Sequence, residues 1–104
     1  MFGRLHDVGI EALTATVARN RVPVEEVLRD LMSEKKAKRL TRGTGIEALS
    51  LAPPAICTSD LCYDSANRLL SVVDRGDIGA LIFISQTADY LSPATSYYLQ
   101  KRLD

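Results

Sequence analysis

The amino-acid sequence predicts an α/β fold, and three observations carry that prediction. Strand-type and helix-type patterns alternate along the chain, residues 78–84 form an almost unbroken apolar run, and Cys62, Ala66, Leu69, Leu70 and Val73 recur at helical spacing. A strand that is apolar without alternation is buried on both faces. The run at 78–84 therefore predicts a mostly buried mixed sheet covered by helices. On that reading Leu81→Ala costs about 2–5 kcal/mol, the range for a fully buried leucine.

Taken in order, residues 6–19 set Val8, Ile10 and Ala12 against Gly9, Glu11 and Leu13, and then slip phase so that Ala15 and Val17 alternate with Thr14 and Thr16. This reads as a strand with a bulge. Asn20-Arg21-Val22-Pro23 breaks it. Val24, Val27, Leu28, Leu31 and Met32 then follow helical spacing, with Glu25 and Glu26 in the first turn, where the helix dipole favours acids. Ser33 before Glu34 caps a second short helix that carries a basic run as far as Leu40. Residues 41–45, with glycines at 43 and 45, suit a tight irregular path. Residues 46–51 read as a short strand ended by Pro53-Pro54.

Thr58, Ser59 or Asp60 caps the next helix, which holds the Cys62-to-Val73 stripe. Asp74-Arg75-Gly76-Asp77 is the turn before the apolar run. Ser92 then serves as N-cap with Pro93 at the first helical position, and Tyr98, Leu99 and Leu103 give the last helix its apolar side.

At 104 residues the chain fits one domain spanning 1–104, with no internal boundary. Its 46% hydrophobic and 25% charged content exclude a disordered polymer. Thirteen basic residues balance thirteen acidic ones, so no global field favours nucleic acid or an anionic membrane. Lys35, Lys36, Lys38, Arg39 and Arg42 cluster without interleaved aromatics, the pattern of a solvated helix face. Cys57 and Cys62 have no companion ligands for zinc and read as thiols in a reducing compartment. With no leader pattern at the start and no apolar run near the roughly 20 residues that span a bilayer, the expected location is the cytoplasm.

Side chains that could carry chemistry are few. His6 is the sole histidine, and no nucleophile stands beside it in sequence. Cys57 precedes a helix start, which can lower a thiol pKa, but the reading preferred for it is a small buried hydrophobe in a proline-rich loop. Gly43-Thr44-Gly45 lacks the Lys-Ser/Thr of a phosphate loop. Taken alone, these residues specify a fold and no chemistry, and no catalytic residue, metal ligand or cofactor is assigned.

The stretch "DIGALIFISQTADYLSPATSYYLQKRLD" resembles the third-class β-ketoacyl-acyl-carrier-protein synthases of the thiolase fold. Asp77-Ile78, Leu81-Ile82, Thr87, Asp89-Tyr90 and Pro93 fall on that family's D-I-D-x-L-I-x-x-T-x-T-x-D-Y-x-x-P pattern, with Leu103-Asp104 where it ends in L-G. Upstream, Thr44-Gly45-Ile46 is similar to its R-T-G-I, and "TSDLCYDSANRLL" from Thr58 is similar to the segment that follows.

The resemblance implies the N-terminal portion of a thiolase-like fold, incomplete before the strand that delivers the nucleophile. It implies an acyltransferase that condenses an acyl thioester with a malonyl carrier, losing carbon dioxide, in fatty-acid or polyketide synthesis. The family's catalytic Cys, His and Asn lie outside these residues, so the chain is expected to be inactive alone. Implied partners are acyl-coenzyme A and acyl carrier protein as substrates, and a homodimer or pairing with the remaining half of the fold; nucleic acid and membrane are not expected. The family's adenine-sandwiching Arg falls at Gly43 here, and the chain has no Trp. Arg39, Arg42 and Thr44 are thus the nearest substrate-binding candidates. Ser92 is a fourth, at a position before the proline where the family places bulk against the partner's acyl pocket. The alternative function is a noncatalytic α/β module that binds an acyl carrier or a full-length partner.

Overall fold

A computed structural model of the chain describes residues 6–104. The first five residues, where the absence of a leader was read, lie outside the described ones. The described chain divides into two compact units, Val17–Cys57 and residues 6–16 with Thr58–Asp104.

In the first of these, strand β1 (Asn20–Pro23) pairs antiparallel with β2 (Ala48–Leu51), with Asn20 opposite Leu51 and Pro23 opposite Ala48. Pro23 ends β1, an edge strand of the two-stranded sheet, the setting in which a strand tolerates proline. The single-turn helix α1 (Val24–Val27) starts directly after it, and the Val24 amide donates to the Glu47 carbonyl at 3.0 Å. Residues 28–32 continue as turns, so the helical stripe from Val24 to Met32 is realised only in its first turn.

Helix α2 (Glu34–Thr44) begins after Ser33, whose side chain makes no capping bond, and runs four residues past the expected stop at Leu40. The Thr41 and Thr44 hydroxyls donate back to the carbonyls of Ala37 and Leu40, at 3.1 and 2.9 Å, satisfying their side chains inside the helix. Gly43 is accommodated in the last turn. Gly45 takes the left-handed C-cap conformation at φ 72°, and its amide returns to the Thr41 carbonyl at 2.8 Å. Only the second glycine is required by backbone geometry.

The other unit is built on helix α3 (Thr58–Leu69) and helix α4 (Thr95–Leu103), which pack together. A 3-10 turn (Arg75–Asp77) lies between them, with the Asp74 carboxylate accepting from the Gly76 amide at 2.8 Å. Leu99 is buried, with Tyr98 and Leu103 half-buried beside it, as the spacing predicts. Arg102 reaches from α4 to Asp60 at 2.8 Å and lies 4.3 Å over the Tyr63 ring. The extended residues before Val17 attach to α3 through Thr14, whose hydroxyl donates to the Ser65 carbonyl at 2.9 Å, and Thr16, which donates to Asp64 at 2.7 Å.

Three expectations need correction. Residues 6–19 form no strand, with bends at Asp7 and Arg19 and Asp7 at φ 59°, and β1 lies at Asn20–Pro23, where the pattern predicts a break. Residues 78–84 likewise form no strand; Ile82 and Ile84 are 83% and 90% exposed, and Leu81 is 39% exposed. The fold is a two-stranded sheet with four helices, not a mostly buried mixed sheet, because continuous apolarity marks a segment fit for double cover and nothing in residues 6–104 supplies that cover. Third, α4 starts at Thr95 with Ala94 at its N-cap, the Ser92–Pro93 bond is cis, and Ser92 caps nothing. Among the described residues no helix is long and apolar enough to cross a membrane.

Burial sets the expected stabilities. Leu99→Ala should cost about 2–5 kcal/mol, whereas Ile84→Ala should stay within about 0.5 kcal/mol; urea unfolding followed by circular dichroism separates the two. A second expectation concerns acid. The Thr16 hydroxyl, and after it Arg68, hold the Asp64 carboxyl below its ordinary value of 3.8. Since the folded value is the lower one, this stabilisation is complete above about 3.8 and lost as pH falls through the folded value. Thr16→Val should therefore move the acid-unfolding transition to higher pH.

Candidate functional site

A polar constellation surrounds the start of α3. A helix begins with amides that have no partner in the helix itself. Here Asp89 supplies one from thirty residues on: Oδ1 accepts from the Thr58 amide and Oδ2 from the Ser59 amide, both at 3.1 Å. A carboxylate is favoured there by hydrogen bonding and by the helix dipole together. The Thr58 hydroxyl donates to the Thr87 carbonyl at 3.0 Å, and Ser85 Oγ accepts from the Thr87 amide at 2.9 Å. Ser85, Thr87 and Asp89 thus moor an extended segment to one helix end. Just beyond it Leu91 and Ser92 are exposed, and the Tyr90 and Tyr98 rings lie 4.7 Å apart.

Behind this, a cavity of about 410 Å³ is bordered by Leu70, Arg75, Ile78, Leu81, Tyr97 and Leu103. Arg75, Ser96, Gln100 and Asp104 add polar side chains to its lining. No Cys or His lines it.

Three of the four expected binding residues lie on α2 in the other unit. Arg39 and Arg42, three residues apart, share an exposed helix face. Lys38 pairs with Glu34, which holds the Glu34 carboxyl below and the Lys38 ammonium above their ordinary values. Lys35, Lys36, Arg39 and Arg42 keep their charges turned to water with no ion-pair partner among the described residues. Thr44 is engaged locally, donating to Leu40 and accepting from the Ile46 amide at 3.3 Å. A Cβ added at Gly43, where the family resemblance places an Arg, would meet nothing within 4 Å. Ser92, the fourth candidate, is in the unit of α3 and α4.

His6 and Cys57 are exposed and Cys62 is half-buried on α3. Among the described residues no group of three or more His, Cys, Asp or Glu could hold a metal ion. Reading the sequence for caps weighed only the local residues Thr58, Ser59 and Asp60 and missed Asp89. The signal available was the alternation of Ser85, Thr87 and Asp89, which in an extended chain puts three polar side chains on one side.

No family model matches the chain. Over 105 residues, 97% of this chain, it is 27% identical to a Campylobacter jejuni protein named as a 3-oxoacyl-(acyl-carrier-protein) synthase 3. Over 66 residues it is 38% identical to the β-ketoacyl-(acyl-carrier-protein) synthase III of Rhodopirellula baltica. In structure it matches the crystal structure of a 3-oxoacyl-(acyl-carrier protein) synthase from Burkholderia xenovorans, with a TM-score of 0.72 and 26% identity over 88% of this chain. The chain spans 30%, 19% and 28% of those three proteins.

The cap explains two measurable differences. Asp89→Ala should cost about 0.5–2 kcal/mol, the range for a lost N-cap, and should speed hydrogen exchange at the Thr58 and Ser59 amides. Ser92→Ala, at a residue with no capping bond, should stay within about 0.5 kcal/mol. Taken with the geometry above, the comparisons establish partial homology: the chain is related, over less than a third of their length, to class III 3-oxoacyl-acyl-carrier-protein synthases.

Proposed function

We propose that these residues are the N-terminal portion of one thiolase-like domain, in a cytoplasmic acyltransferase that performs decarboxylative Claisen condensation. The carrying observation is that likeness to the synthases runs along nearly the whole chain in both sequence and backbone. In such a protein a cysteine thiolate takes the acyl group from a thioester and releases the donor thiol. Loss of carbon dioxide from a malonyl carrier then leaves a carbanion equivalent that attacks the acyl carbonyl, forming the carbon–carbon bond and expelling the thiolate.

The present residues contribute scaffold and binding surface to that chemistry. Arg39 and Arg42 on α2 are proposed to meet the anionic part of an acyl-coenzyme A or acyl carrier protein, with Thr44 at the helix end. Ser92, beside the exposed Leu91, is proposed to face an acyl chain. The nucleophilic Cys and its His and Asn partners are proposed to lie beyond these residues.

A second reading has its own observation. The exposed basic face of α2 suits an acidic carrier protein whether or not catalysis follows, and a noncatalytic carrier-binding module would need nothing more.

Assay of the 104-residue chain with acyl-coenzyme A and malonyl carrier should give no condensation. Turnover abolished by Cys57→Ser or Cys62→Ser would overturn that assignment. Sequencing the transcript past the codon for Asp104 separates the two readings. A following strand and small-residue run with a cysteine supports the acyltransferase, and an immediate stop supports the module.

A further inference from the structure

Tyr90 lies in the loop before α4 and Tyr97 and Tyr98 in the first turn of that helix, all within the unit of α3 and α4. The Tyr90 and Tyr98 ring centroids are 4.7 Å apart with their planes tilted by 36°, at the short end of the range for aromatic pairs. Tyr90 is 53% exposed, so a solute reaches it, while Tyr98 is half-buried.

The other tyrosines are placed differently. Tyr97 and Tyr98, neighbours on one rigid helix, have centroids 6.0 Å apart and planes at 74°. Tyr63 has the Arg102 guanidinium 4.3 Å over its ring and no second ring beside it among the described residues. Phenols and thiols are among the side chains that give up an electron most readily, and the chain has no tryptophan to compete.

The chemistry open to the close pair is oxidative coupling. A one-electron oxidant takes an electron from each phenol, and each phenolic proton passes to water. The two tyrosyl radicals then share a new carbon–carbon bond between ring positions ortho to their oxygens, and the hydrogen on each joined carbon moves through solvent to the oxygen of its own ring, restoring both phenols. The pair loses two hydrogen atoms in all, and two equivalents of oxidant are reduced. Because the rings are already held together, coupling within the chain outruns coupling between chains, whose rings must first meet by diffusion.

We infer that Tyr90 and Tyr98 are an oxidative modification site, at which one-electron oxidants form a dityrosine that ties the segment moored by Asp89 to α4. This does not depend on the catalytic reading.

Mass spectrometry of the 104-residue chain after exposure to photogenerated ruthenium(III) tests it, with Cys57→Ser and Cys62→Ser in the background so that thiols do not consume the oxidant. The main product should be a single chain lighter by two hydrogen atoms. Chymotrypsin, cutting after Leu91, should leave the peptides that carry Tyr90 and Tyr98 joined. Tyr90→Phe and Tyr98→Phe should each abolish the link, whereas Tyr63→Phe and Tyr97→Phe should retain it; phenylalanine keeps each ring and removes only the oxidisable hydroxyl. Since the two tyrosines are near in sequence, a further arm isolates the folded geometry: in concentrated urea the yield should fall about tenfold or more, as the held approach is lost. Coupling mainly between chains would overturn the inference, as would a link that survives Tyr98→Phe or a yield that urea leaves unchanged.

Discussion

Asp89 is the point on which the unit of α3 and α4 depends. Its two carboxylate oxygens take the first two amides of α3, so a single side chain both finishes a helix and fixes an otherwise unanchored extended segment. The Thr58 hydroxyl, bonded to the Thr87 carbonyl, repeats the connection one step away. Removing the carboxylate would expose two helix amides and release the chain on either side of it together. Other ties converge on the same helix, from Thr14 and Thr16 on one side and Arg102 on the other. In a chain with only Val24, Ala37 and Leu99 as buried hydrophobic residues among those described, such polar tethers carry an unusual share of the order.

Local signals in the sequence were read well where they were self-sufficient. Helix α3 follows from its own stripe, β2 from the prolines after it, and the apolar side of α4 from Leu99 and Leu103. They failed where the outcome depended on something outside the segment. Residues 78–84 have the composition of a strand with two covered faces, but cover comes from neighbouring layers, and residues 6–104 bring none to that segment. Helix α2 overran its expected end because Thr41 and Thr44 can bond back to their own helix and because one glycine, not two, was needed to stop it.

The residues expected to bind substrate divide along the same line. Arg39 and Arg42 were legible as an exposed basic face, since spacing alone decides which residues share a helix side. Ser92 was misread as a cap because Ser-Pro before a helical pattern is the usual start, and here the helix waits until Thr95. Asp89 was invisible as a cap because its partners lie thirty residues earlier, and nothing local to Thr58 points to them. The relation to the synthases was visible in the same residues that build the tether, Thr87 and Asp89 among them.

The tyrosines add a property of a different kind. Tyr63, Tyr90, Tyr97 and Tyr98 are all four of them, the chain has no tryptophan, and all four lie in the unit of α3 and α4. Intrinsic ultraviolet emission from this protein therefore originates in that unit alone, while Val17–Cys57 is spectroscopically dark. Because the Tyr90 and Tyr98 rings sit 4.7 Å apart, energy can pass between them, and the polarisation of the emitted light should fall below that of an isolated ring. Separation of the loop from the last helix would remove that pair's share of the loss while the Tyr97 and Tyr98 rings stay 6.0 Å apart on the helix, so a partial rise in polarisation reports whether that loop is still in place.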